Sequence, residues 1–248
     1  MPNERLRAAL LERALTPARL AEVIGVDAKT VERWITKDRV PYRRFRYAVA
    51  SHLGLDETYL WPGALKDEQV TAASVSEIVT IYPHRYAVPR DLIGRLFSEA
   101  QEEIGVLVYS GLFLAEDYGI HQTLTGRAKA GVRVRFLLGD PDSPQVAERG
   151  ADEGIDDAMA AKIRNVIVNY KRLRAVENVE FRLHSTVLYN SIFRIDDQLL
   201  INTHVYGVPA SQAPFWHLRK IAGGEIVNTY LDSFERVWEV AKPLPPEA

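Results

Sequence analysis

The stretch Asn190-Ser191-Ile192-Phe193-Arg194-Ile195-Asp196-Asp197-Gln198-Leu199-Leu200-Ile201-Asn202-Thr203-His204 decides the fold of the larger part of this chain. Two apolar-rich runs flank a pair of turn-forming aspartates, which predicts a strand over about 188–195, a turn, and a returning strand over 198–205. Working outward, a strand is expected near 178–183. Val132-Arg133-Val134-Arg135-Phe136-Leu137-Leu138 reads as another, closed by Gly139-Asp140-Pro141, and Ile104-Gly105-Val106-Leu107-Val108-Tyr109 as a buried one ending at Ser110-Gly111. Helical spacing separates them: from Pro89 to about Glu102, over 118–130 up to Gly131, and over 155–174 with Met159, Ile163, Val166, Ile167, Tyr170 and Leu173 as the inner stripe. A last helix over 226–241 carries Tyr230, Phe234, Val237 and Trp238, and Gly223-Gly224 before it reads as a hairpin turn. Strand, helix, strand, helix, then several strands predicts an α/β layered domain over 76–248.

Polar residues crowd these strands: Ser110, His184, Asn190, Arg194, Asn202, His204, Tyr206 and His217. Along a strand, residues of equal parity share a face. Asn190 and Arg194 agree, as do Asn202, His204 and Tyr206. One reading is a pocket lined by the first seven of these groups, a site for a small-molecule effector. The other is a solvated face of a hairpin. No ligand spacing links His184, His204 and His217, so no metal is expected, and no cofactor.

The same block resembles the strand-turn-strand core of the phospholipase D superfamily, and Phe234-Glu235-Arg236-Val237-Trp238 resembles the closing helix of that fold. In that superfamily a His-x-Lys-x4-Asp signature supplies a histidine nucleophile and a phosphate-holding lysine. Laid on this sequence, the histidine position is Asn190, the lysine position Ile192 and the aspartate position Asp197, with the later glycine-serine step near His204-Val205. A register starting at His184 is no better, placing Thr186 and Ser191 at the lysine and aspartate positions. Asparagine is a poor nucleophile for phosphorus, and isoleucine cannot hold a phosphate charge. The resemblance therefore implies a non-catalytic relative that keeps a phosphate-sized cleft and pairs as a homodimer.

The first sixty-five residues read differently. Residues 4–14 form a helix on Leu6, Ala9 and Leu10. Thr16-Pro17 is an N-cap followed by a first-turn proline, and Gly25 supplies a left-handed stop. Asp27 caps a third helix with Val31, Trp34 and Ile35 inward. Pro41 is expected to open a fourth, with Phe45, Ala48, Val49, His52 and Leu53 buried. Two short helices about a glycine turn are the physical content of a helix-turn-helix. Leu20-Ala21-Glu22-Val23-Ile24-Gly25-Val26-Asp27-Ala28-Lys29-Thr30-Val31-Glu32-Arg33-Trp34 resembles the Cro/phage-repressor-type (XRE) family, as does the later Ala50-Ser51-His52-Leu53-Gly54-Leu55. The Ile35-Thr36-Lys37-Asp38 segment departs from the acidic residue and glycine usual there. The resemblance implies that the third helix enters the major groove. Arg33 would then face a guanine edge, and Lys29 or Thr30 a base or phosphate, while Lys37, Arg39, Arg43, Arg44 and Arg46 would meet phosphate.

Charge is distributed in keeping with that division. Residues 1–65 hold 11 Lys+Arg against 8 Asp+Glu, and residues 66–248 hold 20 against 25, within a net charge of −2. The absence of cysteine excludes a disulfide scaffold, a thiolate zinc site and a cysteine nucleophile. No apolar run reaches membrane-spanning length and the start carries no signal-peptide core, so a cytoplasmic protein without a membrane partner is expected. The expected architecture is thus α+β and two-domain: an all-α helix-turn-helix domain over 1–62, a linker over 63–75, and the layered, phospholipase D-like domain over 76–248. The expected function is a non-enzymatic transcriptional regulator that reads a palindromic site in double-stranded DNA as a homodimer. The alternatives are a DNA-targeted phosphodiesterase or nuclease and a protein-interaction adaptor.

Overall fold

The computed structural model describes residues 2–64 and 67–244, with the side chains of 67 and 68 excepted. The expectations touching Met1, the linker at 65–66 and the domain end at 245–248 fall outside these residues. The chain divides into two compact units. One runs up to Ser76 and takes in Ile221–Glu225; the other comprises Glu77–Lys220 and the segment from Ile226.

In the first unit the helices are α1 (Glu4–Glu12), α2 (Pro17–Ile24), α3 (Ala28–Thr36), α4 (Arg43–Leu53), α5 (Glu57–Leu60) and α6 (Asp67–Ser76). Their ends follow local chemistry. The Thr16 hydroxyl accepts from Arg19 N–H, Pro17 fills the first turn, and Gly25 closes α2 at φ 73°. The Asp27 carboxylate accepts from Lys29 N–H at the start of α3. Leu6, Leu20, Val31, Val49, Leu53 and Leu60 are buried with Trp34, and Trp61 lies edge-on to Trp34 at 6.5 Å between ring centroids. Trp61 therefore belongs to this core, within the domain expected over 1–62. The expected linker is also helical from Asp67. α4 starts at Arg43 and not at Pro41, and its inward stripe is Arg46, Val49, Ala50 and Leu53. His52, expected inside, is exposed, because the i, i+3, i+4 rule then turns its position outward.

The second unit is built on an eight-stranded mixed sheet in the order β1-β7-β6-β5-β2-β3-β4-β8. The strands are β1 (Ile78–Tyr82), β2 (Glu103–Leu107), β3 (Arg133–Gly139), β4 (Val179–His184), β5 (Asn190–Ile195), β6 (Gln198–Thr203), β7 (Phe215–Arg219) and β8 (Lys242–Pro243). β2, β3 and β4 run parallel and the other pairings are antiparallel. The helices are α7 (Leu92–Glu99), α8 (Leu112–Ala115), α9 (Tyr118–Lys129), α10 (Pro144–Asp152), α11 (Ala158–Asn169) and α12 (Ile226–Val240). β1, β7, β8, α8 and α10 are additions to the sequence reading. The helix expected from Pro89 is shorter, and the one expected over 155–174 stops at Asn169 before a 3-10 turn at Leu173–Ala175. Gly223-Gly224 does not link two strands. Gly223, at φ 90°, lies in the turn from β7 into α12.

Packing explains the sheet's two faces. Gly105 on β2 sits between Arg135 on β3 and Arg194 on β5. A Cβ at Gly105 would lie 2.9 Å from the Phe234 ring, so the missing side chain seats α12. Arg135 then grips Glu235 of α12 through both terminal nitrogens, at 2.7 and 2.5 Å, and reaches Glu103 through Nε. Arg194 Nη1 bridges the same two carboxylates at 3.0 and 3.1 Å. Burial alone would raise the Glu235 pKa, but the hydrogen bond and charge of Arg135, with Arg194, hold it below the usual range. On the opposite face Phe136 stacks on Phe181, and Tyr170 packs at a tilt against both rings. At the β5–β6 turn, Asp196 adopts φ 49° and its carboxylate accepts from the N–H groups of Gln101, Glu102 and Glu103 at 2.7 to 2.9 Å. That tie fixes the hairpin beside β2.

Candidate functional site

Two surfaces carry chemistry, one in each unit. On the first, the caps of α2 and α3 and the buried Val31, Trp34 and Ile35 turn the other side of α3 to solvent. Lys29, Arg33 and Lys37 are exposed along it and Thr30 is half-buried. Arg39, Arg43 and Arg44 are exposed in the following turn and on α4, with the Arg44 guanidinium over the Phe45 ring at 4.5 Å. None of these six cations has an ion-pair partner among the described residues. Thr30, Arg33, Arg39 and Tyr42 line a groove beside Trp34 and Phe45. Arg46 departs from the expectation. Its side chain is 11% exposed, with Nε 2.5 Å from Glu57 Oε1 and Nη1 donating to the Pro41 carbonyl at 3.0 Å. It ties α4 to α5 and to the loop before it, and is not offered to a phosphate.

The second surface is a cavity of about 280 Å³ beyond the C-terminal end of β2. Its walls come from Val108–Phe113, α10, α11, β5 and the segments around Arg85 and Ala210. Two of the sequence-derived residues, Ser110 and His204, line it, and Ser191 joins them. The His204 Nδ1 lies 3.1 Å from the Leu188 carbonyl, which can only accept, so Nδ1 carries the proton. Nε2 is then free to accept from the Ser191 hydroxyl at 3.1 Å. Burial, with help from the Arg149 charge, pushes the His204 pKa down to about 4, so the ring is neutral at pH 7. Tyr109 lies between two imidazoles, 5.8 Å from each centroid, and its hydroxyl accepts from Leu188 N–H.

The other candidate residues do not gather here. Asn190 pairs with Thr203 and Ser191 with Asn202, so Asn190 and Asn202 point to opposite faces. Asn190 and Ile192 share the face of Arg194, the side clamped by α12, and Ile192 is fully buried. The cavity instead opens on the face of Ser191 and Phe193. Asn202 is buried with its amide 3.2 Å from the Pro214 carbonyl. His184 is closed off, with Nε2 on the Val108 carbonyl and Nδ1 accepting from Thr186 N–H, and burial lowers its pKa to about 4. Tyr206 is 84% exposed. Asp197 sits at the far end of the hairpin, paired with Arg219. His217 meets the Gln198 side chain.

The cavity's cations escaped the sequence reading altogether. Arg85 precedes α7, Arg149 belongs to α10 and Lys162 to α11, and no spacing connects them. Arg149 and Glu153 have the i, i+4 spacing of an ordinary surface pair, yet both are nearly buried.

No family model matches the chain, and no curated protein does. Among solved structures, one of a phospholipase D family member, Nuc from Salmonella typhimurium, is similar at a TM-score of 0.38 and 15% identity over 63% of this chain and 90% of that one. The archaeal chromatin protein TrmBL2, whose structure is described as showing a novel mode of DNA binding, is similar at 0.43 and 15% identity over 96% and 92%. Phosphatidylserine synthase of Haemophilus influenzae gives 0.41 and 14% over 62% of this chain and 36% of that one. Scores of this size leave the fold to be described by the chain's own strand order and side chains. No helix among the described residues is long and apolar enough to cross a membrane.

Proposed function

We propose that this protein is a sequence-specific DNA-binding transcriptional regulator. The first unit would act as a helix-turn-helix that reads a palindromic operator as a homodimer. The second would act as a phospholipase D-like domain without catalysis, serving dimerisation and effector sensing. The observation that carries this reading is α3: a capped helix, anchored by Val31 and Trp34, that turns Lys29, Arg33 and Lys37 outward without ion-pair partners among the described residues. Unpaired cations on a rigid helix suit phosphate and base edges. Dimerisation has a physical motive, since one such helix contacts too few bases for specificity. The lack of a phosphodiesterase role is argued from Asn190 and Ile192, which offer neither nucleophile nor charge and share the α12 side of the sheet.

The test is binding to the DNA upstream of the protein's own gene, against random duplex, across a salt series. A preference of roughly 10³-fold at physiological salt is expected. Equal, weak affinity for both duplexes overturns the reading in favour of an adaptor.

A further inference from the structure

The cavity beside Ser191 and His204 has a charge pattern that narrows what it can hold. Arg149 and Glu153 are paired across its wall, with side chains 8% and 11% exposed. Arg85 and Lys162 are half-buried and have no ion-pair partner among the described residues. Burial lowers the Arg85 pKa, the sign of a cation deprived of water, and its guanidinium lies 4.2 Å from the Phe113 ring centroid. Glu116, exposed at the mouth, is the remaining carboxylate of the lining. With His204 neutral, the lining carries one positive charge in excess.

Two half-buried cations in a lining with one exposed, otherwise unengaged carboxylate leave the cavity short of negative charge until an anion enters. A single negative charge balances the site, whereas a dianion overshoots it. Arginine can hold a carboxylate or a phosphate through two parallel hydrogen bonds, so the charge balance is what favours the carboxylate. The floor supplies a different chemistry. Ser191 donates to His204, so its oxygen keeps lone pairs for a ligand hydroxyl, and Ser110 offers a second hydroxyl. The volume is at the small end for ligand pockets.

We propose that this pocket binds a small hydroxycarboxylate, with its carboxylate between Arg85 and Lys162 and its hydroxyl on Ser191. The assignment rests on the sensing role proposed above for this unit, and it specifies the chemistry of the effector.

The experiment is calorimetric titration and thermal unfolding of the full chain with glycerate and gluconate. Neutral glycerol and the dianion glycerol 3-phosphate serve as comparisons. Saturable binding of a carboxylate probe and a raised unfolding midpoint are expected, with glycerol inert and the phosphate ester weaker. Arg85→Met and Lys162→Met should each weaken the carboxylate by about tenfold or more, the loss of one charge-assisted contact. Ala210→Phe, which fills the wall by bulk from the 3-10 turn Ala210–Gln212, should block it without removing a charge. Arg33→Ala should leave it unchanged, which separates the pocket from the basic face of α3. No binding by either carboxylate, binding insensitive to Arg85 and Lys162, or phosphate ester tighter than glycerate overturns the assignment. Because DNA is absent from these titrations, failure of the pocket leaves operator binding intact. Failure of operator binding likewise leaves the titration standing.

Discussion

Replacing Arg46 by alanine separates a structural arginine from a DNA-facing one. Arg46 is one of three arginines in Arg43-Arg44-Phe45-Arg46, and by sequence all three look alike. The guanidinium is nearly buried, with Nε on Glu57 at 2.5 Å and Nη1 on the Pro41 carbonyl at 3.0 Å. Removing one member of a buried pair costs about 3–5 kcal/mol, because the remaining charge stays without compensation. Glu57 is 18% exposed and partly reaches water, which reduces the penalty. The orphaned Pro41 carbonyl adds about 1 kcal/mol. A net loss of roughly 3 kcal/mol follows, and at about 4–8 °C per kcal/mol in a unit of this size the unfolding midpoint should fall by ~12–24 °C. Calorimetry reads the midpoint, and hydrogen exchange of peptides within 2–64 locates the loss. Arg46→Met with Glu57→Leu should recover most of the stability, since an apolar pair of similar volume satisfies the same space. An Arg46→Ala protein with an unchanged midpoint and uniformly weakened DNA binding would refute this account and make Arg46 a phosphate contact.

Arg33→Ala should abolish the preference for the operator, whereas Arg44→Ala should weaken binding to every duplex and flatten its salt dependence by about one counterion; equal losses on operator and random DNA for Arg33→Ala would count against α3 as the reading helix. Ile192→Lys, alone or with Asn190→His, places a charge on a fully buried strand position and should lose at least about 3 kcal/mol in denaturant titration while gaining no phosphodiesterase activity; a stable double variant would show that face to be open. Gly105→Ala pushes a Cβ to 2.9 Å from the Phe234 ring and should cost about 1–3 kcal/mol by displacing α12. His184 and His204 both have folded pKa values of about 4, below the unfolded value near 6.5. The unfolded chain therefore binds more protons between those limits, so stability is complete above about pH 6.5 and falls as the pH drops towards 4, by up to about 3 kcal/mol for each ring. Denaturant titrations at pH 7.5 and 5 check the slope, which should shrink in His184→Gln; a pH-independent stability would contradict the burial of both rings.

What the sequence determined by itself is local. Thr16, Pro17, Gly25 and Asp27 set the ends of α2 and α3 through bonds spanning four residues or fewer, and the structure follows them. The β5–β6 hairpin, β2, β3, β4 and the apolar stripe of α12 were likewise legible, because pleat and helix period are written into neighbouring residues. The tertiary structure decided everything that depends on distant partners. Arg46 is buried because Glu57 folds back onto it, and Trp61 is fixed in the core because Trp34 offers it an edge. On β5 the residue facing the cavity is Ser191 and not Asn190. Parity groups the residues of a strand correctly but does not say which group faces a cavity, and here the fit of Phe234 over Gly105 assigns Arg194 and Asn190 to α12. Arg85, Arg149 and Lys162 meet because the chain carries three separate segments past one end of β2, an encounter set by packing and invisible to any local period.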